Sequence, residues 1–368
     1  MSASSTAIGA DKPSDSTART PLQPLRCAAA WTAAEMADTS RWMHELSASD
    51  ADDLIKLVAD VKSKKLDIID MSRSDVDLPH LAPRLARIRE QVFHGYGFAL
   101  IRGFPVEHFD REETMIAYLA LGLHFGEPVS QNAKGHLIGH VTDLSVDYRT
   151  DVNVRSYQTN LEMQPHTDSC DIVGLLTLHP AKSGGLSRLA SSVSAYNAIV
   201  ERCPELAEEL SQPVYWDRRG EIPADKKPYY QLPIFNRYDD FLTTIYGPPF
   251  LYVVTRHKEV PELTVKRRAA YAMLEKLAMD DEFRLDMTLQ RGDVQLVLNH
   301  VILHTRTEYQ DYDDPALRRH LLRLWLSAPD TRPLPQAFEE RYGPIVPGKK
   351  RGGIVVPGVK AKIPLEAE

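Results

Sequence analysis

Apolar residues in the first half of the chain follow a helical period that glycines then interrupt. Four aliphatic residues spaced four, three and four positions apart predict a helix with one buried face: Leu81, Leu85, Ile88 and Val92. Two glycines follow, and the apolar run at residues 98–101 then predicts a short buried strand.

Two further helical segments are predicted before residue 130. Residues 33–62 predict two short helices. Asp110 with Glu113 three residues later resembles a capping box, in which each residue's side chain accepts a hydrogen bond from the backbone of the other. The pair predicts a helix that runs to about residue 125.

Strand patterns dominate from residue 170 onward. Three apolar runs predict buried strands, at residues 172–178, 294–298 and 319–327. Shorter strand candidates lie between proline and glycine turns, at residues 213–216, 229–235, 242–246 and 250–254. Helices are predicted at residues 194–210, with a break at Pro204, and at 263–279. Short strands without βαβ alternation predict an α+β, mainly β fold, with a jelly-roll (double-stranded β-helix, cupin-like) core and flanking helices.

The two ends of the chain differ in composition from its middle. Residues 1–28 are rich in Ser, Thr, Ala, Asp and Pro, which predicts a disordered tail. Residues 346–368 are rich in Pro, Gly and Lys and predict a loose tail. We therefore expect a single domain over residues 29–345, and the 43% of apolar residues suffice for a large core.

Charge and cysteine usage narrow the class of protein. The net charge is −7 with both signs interspersed, which argues against a nucleic-acid or membrane-surface binder. The longest apolar runs are too short to span a bilayer, and the N-terminus has no signal-peptide pattern. Cys27, Cys170 and Cys203 are few and scattered, which is typical of reduced thiols in a cytoplasmic protein. The sequence leaves open whether the protein forms a homo-oligomer.

One histidine and one aspartate, two residues apart, are the first candidates for metal binding. His166 and Asp168 follow Pro165 in a turn just before the strand predicted at residues 172–178. At a strand end both side chains can face one cavity. A second, distant histidine would complete the two-histidine, one-carboxylate set of non-haem Fe(II) oxygenases, which leaves three coordination positions open.

The distant histidine has two candidates, His300 and His304, which have the same strand parity. Arg319 and Arg323 lie 15 and 19 residues after His304, within a strongly apolar strand. Burying an arginine there is costly unless it meets an anion. Because the far carboxylate of an iron-chelating 2-oxo acid needs such a cation, the spacing favours His304.

Six stretches between residues 95 and 327 carry a family resemblance: residues 97–103, 123–128, 166–168, 183–185, 299–306 and 318–326. Together they resemble the taurine dioxygenase and 2,4-D dioxygenase family of Fe(II)/2-oxoglutarate-dependent dioxygenases, with clavaminate synthase as a more distant relative. The resemblance implies that His166, Asp168 and His304 bind Fe(II). It also implies that Arg319 pairs with the distal carboxylate of 2-oxoglutarate, helped by the hydroxyl of Ser187.

The resemblance further implies a reaction. 2-Oxoglutarate and O2 would be consumed to give succinate and CO2. In the same reaction an unactivated C–H bond of the substrate would be oxidised, so that the substrate is hydroxylated, desaturated or cyclised. Arg323 matches an arginine that meets the anionic group of the substrate in taurine dioxygenase. Gln158 and Asn160 are further candidates for substrate binding. We expect a small anionic substrate, an amino acid or an acid derived from one.

The sequence departs from the family pattern near the predicted metal ligands. The segment 157–164 lacks the aromatic-rich pattern of taurine dioxygenase, and Leu298 precedes Asn299 where the family often has aspartate.

Two other functions could use the same candidate residues. A zinc-dependent hydrolase could use the same three ligands, but it does not account for the arginine pair. A non-catalytic cupin-like binding protein would be favoured by the loss of a ligand, and all three candidates are present.

Overall fold

Short strands make up the centre of the molecule. The computed structural model describes residues 22–146 and 155–368, and within them it contains sixteen strands. They are β1 (Met43–Glu45), β2 (Phe98–Arg102), β3 (Glu127–Pro128), β4 (Ile138–Val141), β5 (Ile172–His179), β6 (Ser183–Gly184), β7 (Ser187–Ser191), β8 (Val214–Asp217), β9 (Tyr229–Leu232), β10 (Phe235–Tyr238), β11 (Phe241–Thr244), β12 (Arg284–Met287), β13 (Val294–Leu298), β14 (Ile302–Arg306), β15 (Tyr309–Gln310) and β16 (His320–Ser327).

Seven of these strands form the larger sheet. Their order is β1-β2-β13-β5-β16-β3, and β4 also pairs with β16. Every neighbouring pair is antiparallel except β1 with β2. All five residues of β13 are buried, because this strand lies inside the sheet and is covered on its faces. The apolar runs predicted at residues 98–101, 172–178, 294–298 and 319–327 are the long strands of this sheet.

A three-stranded sheet, in the order β12-β7-β14, faces the larger one. Val173 and Gln295 of the larger sheet and Ser187 and His304 of the smaller one line a cavity between them. Two facing sheets, antiparallel except for the β1–β2 pair, form the jelly-roll core that the sequence predicts. They do not close into a barrel within residues 22–146 and 155–368.

Helices flank both sheets. In the described ranges they are α1 (Ala48–Lys64), α2 (Ala82–His94), α3 (Arg111–Gly122), α4 (Ser192–Arg202), α5 (Pro204–Leu210), α6 (Pro248–Val253), α7 (Val265–Met279) and α8 (Glu339–Tyr342). The predicted apolar face of α2 packs on β2 and β13. The capping box at α3 is present, with the Glu113 N–H donating to Asp110 at 2.8 Å and the Asp110 N–H to Glu113 at 3.0 Å. α4 and α7 cover the smaller sheet.

Two predicted elements differ in the structure. Residues 33–62 contain two 3-10 turns, β1 and the single long helix α1, whose start is fixed by a Ser47–Asp50 capping box. The strand predicted at residues 250–254 is the end of α6, a helix that begins at Pro248. Proline suits the first turn of a helix because its φ is already helical and no N–H is lost there.

The ends of the chain differ from the two expected tails. Most of residues 1–28 lie outside the described residues, but the Leu25 N–H donates to the Asn197 side chain at 2.7 Å. Residues 346–368 are not loose. Arg351 forms a buried ion pair with Asp171 at 3.0 Å, and the Ile354 N–H donates to the Ser130 carbonyl at 2.7 Å. A carboxylate buried in the core needs a cation, and this segment supplies it.

Candidate active site

The three predicted metal ligands lie together at the cavity between the sheets. His166 and Asp168 are in the loop before β5, and His304 is in the middle of β14. The backbone N–H groups of His166 and His304 each donate to the carbonyl of the other at 3.0 Å. This antiparallel bridge holds two residues that are far apart in sequence side by side.

The separations of the donor atoms suit one shared ion. Nε2 of His166 is 3.9 Å from Oδ1 of Asp168, and Nε2 of His304 is 3.6 Å from Oδ2 of the same carboxylate. One donor atom of each residue lies within 4.8 Å of the other two. Two imidazoles and one carboxylate on one side of a position form a facial triad, which leaves three coordination positions for other ligands.

Neighbouring groups fix the orientation of these ligands. Nδ1 of His166 lies 2.9 Å from the Gln164 carbonyl, so this nitrogen carries the proton and Nε2 keeps its lone pair. The indole N–H of Trp325 donates to Oδ2 of Asp168 at 3.0 Å. Asn299 accepts a hydrogen bond from the Asp168 N–H at 2.8 Å and donates to the Asp168 carbonyl. The aspartate is thus held at both its backbone and its side chain.

The electrostatic setting keeps His166 and Asp168 in their metal-binding forms. Burial and the nearby His304 lower the pKa of His166 to about 4, so this imidazole is neutral at pH 7. Burial alone would raise the pKa of Asp168, but the charge of Arg323 and the two imidazoles outweigh it and hold the pKa below its usual value. Deprotonated ligands are what a metal ion requires.

His300, the alternative distant ligand, has a structural role. Its Nε2 lies 2.7 Å from Oδ1 of Asp171, and its ring stacks on Tyr342. Arg351 binds both oxygens of the same Asp171 carboxylate at 3.0–3.1 Å. His300 therefore belongs to a buried ionic network beside the triad and not to the triad itself.

Arg319 lines the same cavity as the triad and is buried. Its guanidinium lies 5.0 Å from the centre of the Tyr309 ring, and its Nη1 has no hydrogen-bond partner among the described residues. Burial lowers the pKa of Arg319, which is the sign of a cation removed from water without full compensation. An anion in the cavity would supply that compensation.

The Gly184-Gly185 pair lets the chain pass close to the backbone of Glu308 and to the side chain of Arg319. Both glycines have a positive φ, of 72° and 68°. A Cβ on Gly184 would lie 2.3 Å from the Glu308 carbonyl, and one on Gly185 would lie 3.3 Å from Nε of Arg319. The pair therefore allows a close approach that other residues would block.

Ser187 lines this cavity too, but its contact differs from the one expected. Its hydroxyl donates to the Gln295 side chain at 2.9 Å, and no hydrogen bond to Arg319 is present in the described part of the chain. Sequence reasoning also missed Arg306, a buried neighbour whose Nη1 donates to the Thr159 carbonyl at 3.1 Å. Arg306 shares strand parity with His304, which was the signal available for it.

Arg323 lies where this cavity meets a larger one of about 480 Å³. Its Nη1 is 3.8 Å from Oδ2 of Asp168, and its Nε donates to the Gln131 side chain at 2.7 Å. The guanidinium lies over the rings of Tyr157 and Trp325, at 4.5 Å and 5.0 Å. Arg323 is thus the cation nearest to the triad on the side of the larger cavity.

Two predicted substrate residues do not reach either cavity. The Gln158 side chain turns back to accept a hydrogen bond from the Arg155 N–H at 3.0 Å, and Asn160 is exposed. Both are absent from the linings of the two cavities beside the triad, whereas Tyr157 and Thr159 line the larger one. The 3-10 turn at Ser156–Gln158 sets the direction of the Gln158 side chain. The alternation of side chains along an extended strand does not apply in such a turn.

The donor set fits Fe(II) with 2-oxoglutarate. Three protein ligands with open positions suit an ion that also binds a co-substrate and O2. The unsatisfied Nη1 of the buried Arg319 suits the far carboxylate of a 2-oxo diacid. Bound there, iron and 2-oxoglutarate would supply the oxidising power, while the protein orients the substrate and excludes competing reactions.

Facing sheets with a facial triad between them are the architecture of non-haem iron oxygenases. Within that class, the family model described as "Taurine catabolism dioxygenase TauD, TfdA family" matches residues 62–325. The chain belongs to this family, and it is an Fe(II)/2-oxoglutarate-dependent dioxygenase with O2 as second co-substrate. The zinc hydrolase and the non-catalytic binding protein are thereby set aside.

Individual relatives agree with the family. FR-33289 synthase of Streptomyces rubellomurinus is 31% identical over 327 residues, which cover 87% of this chain and 96% of that protein. The taurine hydroxylase-like protein SAT17 of Stachybotrys chartarum is 29% identical and covers 69% of this chain and 67% of its own. The structure of an asparagine oxygenase with Fe(II), 3-hydroxyasparagine and succinate superposes with a TM-score of 0.60 at 15% identity, over 78% of this chain and 93% of that one. The last likeness confirms the fold.

Helices of the described residues are too short or too polar to cross a membrane.

Proposed function

We propose that this dioxygenase oxidises an unactivated C–H bond of a small anionic molecule, an amino acid or an acid derived from one. The observation that carries the proposal is the position of Arg323. Its guanidinium is buried, lines the larger cavity and lies 3.8 Å from the Asp168 carboxylate. An anionic group bound there would hold the adjoining carbons beside the iron, where oxidation takes place.

The proposal assigns separate roles to the site residues. His166, Asp168 and His304 hold the iron, Arg319 binds the distal carboxylate of 2-oxoglutarate with Ser187 beside it, and Arg323 binds the primary substrate. Support for an amino-acid-like substrate comes from a protein of the same fold, the asparagine oxygenase whose structure contains 3-hydroxyasparagine. A cytoplasmic location stays a prediction; it agrees with Cys27, Cys170 and Cys203 all being free thiols.

A screen of amino acids and other small carboxylates tests the proposed function. Succinate release should depend on O2 and rise with a true substrate, and the mass of the product gives the outcome. A gain of one oxygen means hydroxylation, and a loss of two hydrogens means desaturation or ring closure. His166→Ala and Asp168→Ala should abolish succinate formation while retaining the fold, and full activity in either variant would disprove the assigned iron site.

A second comparison distinguishes the roles of Arg319 and Arg323. Arg319→Ala should raise the concentration of 2-oxoglutarate required for half-maximal rate, by roughly ten- to a hundredfold for a lost charged hydrogen bond. Arg323→Ala should raise the requirement for the primary substrate instead. Equal effects of both variants on both compounds would refute this division of roles.

A further inference from the structure

Part of the wall of the larger cavity comes from residues beyond the matched segment 62–325. Arg341 in α8 and Ile354 both line this cavity, together with Arg323 and Trp325 of β16. No role for Arg341 follows from the family match, because it lies sixteen residues past the end of that match.

Arg341 is a half-buried cation without a carboxylate partner among the described residues. Its Nη1 donates to the Tyr230 hydroxyl at 2.7 Å, and its guanidinium lies 5.5 Å from the centre of the Trp216 ring. Its Nε is buried without a hydrogen-bond partner, and no carboxylate oxygen of the described residues lies within 4 Å of its nitrogens. One neutral hydroxyl engages only one of the five N–H donors of an arginine.

Docking of α8 does not account for this arginine. Arg218 already ties α8 to the β8–β9 hairpin, because it donates to both the carbonyl and the side chain of Glu340 at 2.8 Å. The guanidinium of Arg218 also lies 4.6 Å from the centre of the Tyr230 ring. The anchoring contacts are thus complete without the charge of Arg341.

The cavity has more positive than negative charge available for a ligand. Its wall contains four arginines, Arg155, Arg219, Arg323 and Arg341, and three carboxylates, Glu162, Asp168 and Glu221. Arg155 pairs with Glu221 at 2.7 Å, and Glu162 pairs with Arg188 at 3.1 Å. Asp168 is committed to the iron in the proposed site. Arg341 therefore faces the cavity without a carboxylate of its own, and Arg323 has only the Asp168 carboxylate at 3.8 Å, which it shares with the proposed iron site. Two partly desolvated guanidinium groups with so little negative charge beside them favour the binding of an anion.

We propose that Arg341 and Arg323 together bind a doubly anionic substrate. The inference rests on the proposed function, since Arg323 holds the anionic group nearer the iron. Arg341 then binds the second negative charge, either a separate acid group or the second charge of a divalent oxyanion. Burial lowers the pKa of Arg341, but Tyr230, Tyr342 and Asp168 raise it by more, so the guanidinium keeps its positive charge.

Anion titration of the anaerobic Fe(II)–2-oxoglutarate enzyme tests the proposal. The probes are sulfate, methylphosphonate and malonate at constant ionic strength, and the readout is tryptophan fluorescence, since Trp216 and Trp325 lie beside the two arginines. A saturable change is expected for the wild type. Arg341→Gln should raise the half-saturating concentration about tenfold or more, as expected for a lost charged contact. Arg202→Gln, a change at an exposed arginine paired with Glu282, is the matched control and should leave it unchanged.

The outcomes separate this inference from the proposed function. A response to sulfate and methylphosphonate identifies a tetrahedral dianion, and a response to malonate a dicarboxylate; either supports a two-arginine site if it depends on Arg341. Equal affinities in Arg341→Gln and wild type would overturn the inference. If Arg341→Gln does not fold, Arg341→Lys decides, because an ammonium lacks the planar fork and should weaken binding while keeping the charge. The visible absorption spectrum of the same anaerobic samples tests the proposed iron site separately. If adding Fe(II) and 2-oxoglutarate to the wild type gives no charge-transfer band, the proposed iron site is refuted, whether or not the anions bind.

Discussion

The indole N–H of one tryptophan connects the proposed iron-binding carboxylate of Asp168 to the larger sheet. Trp325 donates to Oδ2 of Asp168 at 3.0 Å, and this bond limits rotation of the carboxylate. Trp325→Phe keeps an aromatic ring beneath Arg323 but removes the donor. We expect iron affinity to fall by roughly ten- to a hundredfold, the usual cost of losing a group that orients a metal ligand. Anaerobic titration with Fe(II) measures it.

The matched control is Trp31→Phe. Its indole N–H donates to the Tyr96 carbonyl at 2.8 Å, which is also a buried tryptophan bond but one outside the site. This variant should lose stability without losing iron affinity. If both variants bind iron as the wild type does, the Trp325 contact has no role in holding the ligand.

The two neighbouring histidines of β14 and its preceding turn should respond differently to substitution. His304→Ala removes a ligand atom that lies 3.6 Å from Asp168, so bound iron should be lost and succinate formation abolished. His300→Ala should keep bound iron and mainly lower the free energy of unfolding, because His300 pairs with Asp171. Iron content and urea unfolding distinguish the two, and the reverse pattern would mean that the distant ligand is His300.

Among individual residues, the candidate metal ligands and the buried arginines were predictable from the sequence. The residues that hold them in place were not. The sequence shows a histidine and an aspartate two residues apart, and later two arginines in an apolar strand. Such side chains attract attention because burying them costs free energy unless they bind something. Trp325 shares strand parity with Arg323 but looks like an ordinary core residue. Gln158 and Asn160 lie outside the linings of both cavities, because the direction of a loop side chain depends on a turn that local spacing does not encode.

Among the elements, the turn between β13 and β14 should give the protein a measurable pH dependence. Burial lowers the pKa of His300 to about 4, although the Asp171 carboxylate acts against it. Between that value and the unfolded value near 6.5, the unfolded chain binds the proton and the folded chain does not. Stability therefore rises with pH over this window, and it is lost as pH falls from about 6.5 to about 4.

Comparison with His300→Gln isolates this contribution, because glutamine can still donate to Asp171 but does not titrate. Urea unfolding of the metal-free proteins at several pH values between 4 and 7 is the measurement. The stability of the wild type relative to His300→Gln should increase with pH, while the other buried histidines cancel in the difference. A decrease with pH would show that His300 is protonated and forms an ion pair with Asp171.

Strand and helix positions were predicted best where one pattern was long and unopposed. The capping box at Asp110 and the apolar face of α2 are local signals, and both were confirmed. Residues 250–254 combine aromatic and β-branched types that suit a strand, yet Pro248 and Pro249 start a helix there. Tertiary packing against β8 decides between the two, and a short apolar run does not contain that information.

For the whole molecule, composition misjudged the C-terminal segment. Proline, glycine and lysine are typical of loose tails, but one arginine among them completes a buried ionic network. Arg351 is buried and binds Asp171, which lies three residues after the proposed iron ligand Asp168. A long-range ion pair of this kind leaves no periodic trace in the sequence, whereas the jelly-roll core does, since its strands are long apolar runs.

Removal of residues 346–368 should therefore weaken both the fold and the substrate cavity. It would leave Asp171 buried with His300 and the Ala328 N–H at 2.7 Å as its partners, and it would remove Ile354 from the cavity wall. Breaking a buried ion pair on one side costs about 3–5 kcal/mol, so Arg351→Met alone should account for most of the loss in urea unfolding. Adding Asp171→Asn to Arg351→Met should cost less than the sum of the single changes, because the second change removes the charge that the first leaves unpaired. A truncated protein as stable as the full chain would mean that the segment is a loose tail after all.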